Sequence, residues 1–190
     1  MTGLDYRSGQ SFFELVLLKL VYLYLSSFLC ISMVKKDLLK KTIIMVLLAE
    51  LAGLFGSFFT LPSIATWYSS LVKPWFTPPS WVFGPVWILL YALMGIAAAI
   101  IWNSEKSKIR ETALRIYFVQ LAFNISWSIV FFGLNQPFLG FVNIVILWIS
   151  IIFTIQQFGK ISKTSANLMV PYLLWVTFAT ALNAAIWLLN

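Results

Sequence analysis

The sequence predicts an all-α integral membrane protein: a five-transmembrane-helix bundle with a Trp/Pro-rich first loop as its lid, plus an additional N-terminal apolar segment. Three observations predict it. Mean hydropathy is +0.92 and only 10% of the 190 residues are charged, against about 25% in a soluble domain. Five windows reach the roughly 20 apolar residues that a bilayer crossing needs. The basic residues fall in clusters between alternate windows, which is the charge pattern of a membrane topology.

The elements follow in chain order. Residues 1–41 form an N-terminal extension and a basic stretch, and 42–190 form the membrane domain. Within the extension, Leu15–Val34 is apolar and contains Lys19. It reads in three ways: an extra membrane helix, an uncleaved signal-like anchor, or the product of a start codon placed too early, with Met33 opening a shorter chain. The five windows are Thr42–Leu61, Gly84–Asn103, Ile116–Leu134, Pro137–Phe158 and Ala166–Leu189. Each is expected to be helical, because lipid leaves backbone groups no partner outside the segment. Alternation of the kind a membrane barrel uses is absent. Lys35, Lys36, Lys40 and Lys41 precede the first window, Lys106, Lys108, Arg110 and Arg115 flank the second connection, and Lys160 and Lys163 lie in the fourth. All ten fall on one side, opposite Lys73, so that side is expected to be cytoplasmic and the first loop and Asn190 outside. The net charge of +7 is then a topological signal facing anionic lipid, and no nucleic-acid partner is expected. A bacterial inner (cytoplasmic) membrane is the expected location.

The first connection is the most distinctive part of the chain. Trp67–Tyr91 holds eight aromatic residues and four prolines in 25 positions. Prolines fix φ and remove N–H donors, so the loop is expected to hold one shape without a helix or strand ladder. Its rings offer a flat apolar surface with a few N–H and O–H groups, suited to covering something flat.

Helical spacing then sorts the windows into faces. The second window groups Trp87, Tyr91, Ala98 and Trp102. The third groups Tyr117, Gln120, Asn124, Trp127, Ser128 and Phe131. The fourth groups Asn143, Ser150, Thr154 and Gln157, and the fifth Trp175, Ala179, Asn183, Ile186 and Asn190. Polar side chains are costly in lipid, so these faces should point inward. On the fourth window interhelical hydrogen bonding is the expected use. On the other three the polar groups are mixed with Trp and Tyr, the composition of a small-molecule pocket. Glu50, the only acid within the five windows, shares a face with Gly53, Ser57 and Thr60. It reads either as a functional intramembrane acid or as a partner for the nearby lysines, Lys41 being barely two turns away; the second reading is preferred. Ala49-x-x-x-Gly53 and Ala52-x-x-x-Gly56 are small-residue spacings that suit close packing within the bundle or a homodimer.

The absence of histidine and the single cysteine, Cys30, remove Ser–His and Cys–His catalysis, CxxC metal sites and the usual proximal haem ligand. No metal site is expected.

Four motifs, in order, carry a family resemblance. The first runs Trp67-Tyr68, Lys73-Pro74, Thr77-Pro78-Pro79, Trp81, Phe83-Gly84-Pro85, Trp87, Tyr91. Then come Asn124-x-x-Trp127-Ser128-x-x-Phe131-Phe132, Pro171-Tyr172-x-x-Trp175, and Ala181-Leu182-Asn183-x-x-Ile186-Trp187-x-x-Asn190. Over about Thr42–Asn190 the chain resembles the TspO/translocator-protein family, also called tryptophan-rich sensory proteins or peripheral benzodiazepine receptors. The resemblance implies a five-helix bundle whose first loop closes a cavity, with porphyrins such as protoporphyrin IX and haem as ligands. Some members also bind cholesterol or benzodiazepine-type drugs. It implies ligand contacts from Tyr68, Pro78, Trp87, Tyr91, Asn124, Trp127, Trp175 and Asn183. No cofactor is expected to be required; porphyrin enters as ligand, and membrane lipid is the other partner. Roles within the family include sensing, porphyrin transport and light-dependent porphyrin degradation. Two departures qualify the resemblance. Ala184 stands where some bacterial members carry a second cavity tryptophan implicated, with the one at Trp87, in degradation. No Lys or Arg follows Lys163, so the animal C-terminal cholesterol motif is absent.

Overall fold

A computed structural model describes the backbone from Tyr6 to Asn190 and the side chains from Lys36 onward. The apolar run Leu15–Val34, and with it the choice among its three readings, lies outside the residues whose side chains are described. Packing divides the chain into two units, 1–39 and 40–190. The packing and the cavity described below lie within the second.

Seven helices are described: α1 Tyr6–Ala65, α2 Trp67–Ser70, α3 Phe83–Asn103, α4 Lys108–Ser128, α5 Pro137–Gly159, α6 Lys163–Leu168 and α7 Val170–Leu189. No strand occurs among the described residues. Five segments are long and apolar enough to cross a membrane: Lys36–Ala65, Ser80–Asn103, Lys108–Gly133, Pro137–Gly159 and Lys163–Leu189. They are the five predicted windows, mostly extended at their polar ends. The extensions arise because capping and basic residues continue a helix past the apolar stretch that defines it in the sequence. Ser107 Oγ accepts from Arg110 N at 3.2 Å and opens α4. Arg110 Nη1 then donates to the carbonyls of Trp102 and Ser104 at 3.3 and 3.1 Å, satisfying the last turn of α3. Ser162 caps α6 in the same manner. Prolines at their first turns open α5 and α7, where a missing N–H does no harm. Pro171 accounts for the step between α6 and α7, since it has no donor for the carbonyl four residues earlier.

The core is built from small residues on α3, Ala97, Ala98 and Ala99, closed by Ile101, Tyr117, Ile144, Ile151, Phe158 and Tyr172, all essentially buried. Close helix approach depends on glycine at two places. A Cβ on Gly95 would strike the backbone of Val46, and one on Gly53 would strike the ring of Tyr91. Ala49 and Ala52 are buried beside them, so the small-residue stripe of α1 packs inside the bundle. Ser165 Oγ donates to Ala97 O at 2.6 Å and ties α6 to α3.

Candidate functional site

An aromatic cavity of about 690 Å³ lies between α1, α3, α4 and α7. Each helix gives one stripe to it. α3 contributes Phe83, Trp87, Ile88 and Tyr91, spaced four, one and three residues apart. α4 contributes Asn124, Trp127 and Ser128, and α7 contributes Trp175, Ala179, Leu182, Asn183 and Ile186. α5 contributes nothing to the wall. Its polar face packs instead, with Asn143 Nδ2 donating to Ser126 Oγ at 2.6 Å and Ser150 and Thr154 bonding to their own helix.

Seven of the eight side chains that the family resemblance implies as ligand contacts meet here: Tyr68, Trp87, Tyr91, Asn124, Trp127, Trp175 and Asn183. Pro78 does not. It is half-buried in the loop, and Ser80 and Trp81 reach the wall instead. Ala184 is likewise off the wall. The side of the cavity that the sequence left unassigned is α1, where Leu47, Glu50, Leu54, Ser57, Leu61 and Ile64 recur at three- and four-residue intervals. The signal was present in the shared face of Glu50, Gly53, Ser57 and Thr60. The preferred reading of that face pairs Glu50 with a nearby lysine. Lys41 Nζ instead donates to Asn103 Oδ1 at 3.0 Å and sits over the Trp102 ring.

The loop covers one end of the cavity. It is less irregular than the prolines suggest, since Trp67–Ser70 forms a helical turn and Ser80–Val82 a 3₁₀ turn. The proline-free segment Trp67–Ser70 can still close a turn, and Ser70 Oγ donates back to Trp67 O at 2.8 Å. Trp67 and Tyr68 pack on Phe131 and Phe132, and Phe76 packs on Phe178. Asn190 fastens the loop from the other end of the chain: its Oδ1 accepts from Val72 N at 3.0 Å and its Nδ2 donates to Val72 O at 3.1 Å. The first loop and the C-terminus therefore share one end of the bundle. Burial raises the pKa of the Tyr68 phenol above 10.0, keeping it a neutral donor, and Lys73 Nζ lies 4.9 Å from that ring.

The landing surface for Tyr68 depends on a π turn, Ile129–Gly133, in which Leu134 N donates to Ile129 O at 2.8 Å. The wide turn presents Phe131 and Phe132 together, and Phe131 stacks on Trp127 at 5.3 Å. Asn135 follows with φ 55°, a conformation asparagine tolerates better than most residues.

Two side-chain networks run through the wall. Tyr91 Oη donates to Asn124 Oδ1 at 2.5 Å, Asn124 Nδ2 to Tyr172 Oη at 2.7 Å, and Tyr172 Oη to Gln120 Oε1 at 3.1 Å. Trp127 Nε1 donates to Asn183 Oδ1 at 3.0 Å, and Asn183 Nδ2 to Pro137 O at 2.9 Å. The Nε1 of Trp175 is buried and has no acceptor. Trp87 stacks on Tyr91 at 5.4 Å with 29° between the rings. Flat rings held beside this network form a preshaped, mainly apolar slot. The slot also opens sideways, because wall residues of α1 and α3 such as Leu51 and Ile88 are 57% and 62% exposed on the flank of the bundle.

Comparison with known proteins agrees with this architecture. A model of the TspO/MBR family matches residues 44–188. The Tryptophan-rich protein TspO of Archaeoglobus fulgidus is 49% identical over 148 residues, 76% of this chain and 94% of that one. The protein of the same name from Chlorobaculum tepidum is 44% identical over 140 residues, 73% and 88% of the two chains. The human Translocator protein is 37% identical over 144 residues, 74% and 85%. With the match running through all five spans and every wall of the cavity, the chain belongs to the TspO/MBR family.

Proposed function

We propose that this integral membrane protein is a receptor for porphyrins, protoporphyrin IX above all, or for similarly flat hydrophobic ligands, and that it serves tetrapyrrole sensing, sequestration or transfer. The observation that carries the reading is the aromatic slot of about 690 Å³, within the roughly 300–1,000 Å³ typical of small-molecule sites. Trp87 and Tyr91 supply stacking faces for a flat ligand. Stacking on indoles does not require a metal. The chain has no histidine to ligate haem iron, so metal-free porphyrin should bind at least as well as haem. The first loop and C-terminus are assigned to the outside of a bacterial inner membrane by the positive-inside rule. The test is a tryptophan-quenching titration of purified protein. Trp87→Phe combined with Asn124→Ala should weaken protoporphyrin IX about tenfold or more, from lost stacking and polar fixing. Unchanged affinity would remove the site assignment, and haem binding far more tightly than protoporphyrin IX would remove the metal-free preference.

A further inference from the structure

Glu50 stands near the middle of the Lys36–Ala65 span, roughly 20 Å from either end at helical rise. A carboxylate at that depth is too costly to be idle. It lines the cavity, and every other side chain in the wall is of an uncharged type. Among the described residues it takes part in no ion pair and no side-chain hydrogen bond. One turn along the same helix, Gly53 lets the Tyr91 ring close against α1, so Glu50 and the Trp87–Tyr91 stack share one region of the wall. The Tyr91 hydroxyl hydrogen and one amide hydrogen of Asn124, which could otherwise solvate the carboxylate, are given to Asn124 and Tyr172.

A lone carboxylate beside aromatic faces is the arrangement by which proteins hold organic cations, through charge and ring quadrupole together. We propose that Glu50 makes this cavity selective for flat aromatic ligands bearing a positive charge, with the cationic nitrogen set against the carboxylate and the rings along Trp87 and Tyr91. The proposal rests on the reading of this cavity as the ligand site. It also orients an acidic ligand: carboxyl groups of a porphyrin would be turned away from Glu50.

The test uses two probes of one shape, N-methylacridinium, permanently charged, and 9-methylanthracene, neutral, with protoporphyrin IX as a third. Each is titrated by tryptophan quenching into full-length protein in a nonionic detergent. Wild type should prefer N-methylacridinium to 9-methylanthracene. Glu50→Gln should weaken N-methylacridinium about tenfold or more and leave the other two within about twofold. Equal losses for all three probes, or no loss for the cation, would overturn the proposal. Should the glutamine variant not fold, Glu50→Asp retains the charge but withdraws it by one methylene. It should lower cation affinity alone, and an unchanged cation affinity there counts against the proposal. If wild type binds protoporphyrin IX but does not prefer the cation, the proposal fails and the cavity reading stands. If no probe binds, both fail.

Discussion

At the scale of residues, the buried polar chain Tyr91–Asn124–Tyr172–Gln120 separates holding the wall from being the wall. Tyr172 is fully buried and is not a wall residue, yet its hydroxyl accepts from Asn124 and donates to Gln120. Tyr172→Phe should therefore cost about 1–3 kcal/mol of stability, the usual penalty for leaving buried polar groups unpaired, and should change protoporphyrin affinity only a few-fold. Thermal unfolding alongside the quenching titration checks both, and a large affinity loss with intact stability would make Tyr172 a ligand contact. The sequence placed Asn124 and Gln120 on one inward face but could not show that Tyr172, from a different helix, joins them. That link spans 48 residues and depends on how α4 and α7 dock.

At the scale of elements, helix approach is set by where a side chain is missing. Gly95 faces the backbone of Val46, whereas Gly84 has open space around its Cβ position. Gly95→Ala should lower stability by about 1–3 kcal/mol through overpacking, since a backbone cannot swing aside as a side chain can. Gly84→Ala should be neutral or stabilising by up to about 1 kcal/mol, because alanine restricts the unfolded chain. Melting temperatures of the two variants in one detergent decide it; equal behaviour would mean α1 is not seated against α3 as described. The helices themselves were legible from their apolar windows and from Pro137 and Pro171. The π turn at Ile129–Gly133 was not, because one extra residue in a turn leaves the apolar composition of Ile-Val-Phe-Phe-Gly unchanged while redirecting Phe131 and Phe132.

At the scale of the whole molecule, the loop and C-terminus are tied together at one end by Asn190 and Val72, while the connections carrying Lys106 and Lys160 lie at the opposite ends of α3 and α5. Cysteine labelling in a Cys30→Ser background tests which end faces outward. A membrane-impermeant maleimide applied to intact spheroplasts should label Ser69→Cys and spare Lys106→Cys until the membrane is opened. The reverse pattern would invert the topology argued from charge.

The sequence by itself determined the five spans, the residues that share each helix face and the clustering of charge in alternate connections, while the cavity wall was named only through the family resemblance. The first three are periodic or compositional properties that lipid makes unambiguous. Only the tertiary structure decided that α1 supplies the remaining wall, that Ser80 and Trp81 line the cavity beside the loop, and that Lys41 turns to Asn103 while Glu50 faces the cavity. Each of these depends on helix rotation and distance. A face read from one helix says which residues travel together; the partner they meet is fixed only when glycines, prolines and a π turn set how closely and at what angle the helices pack.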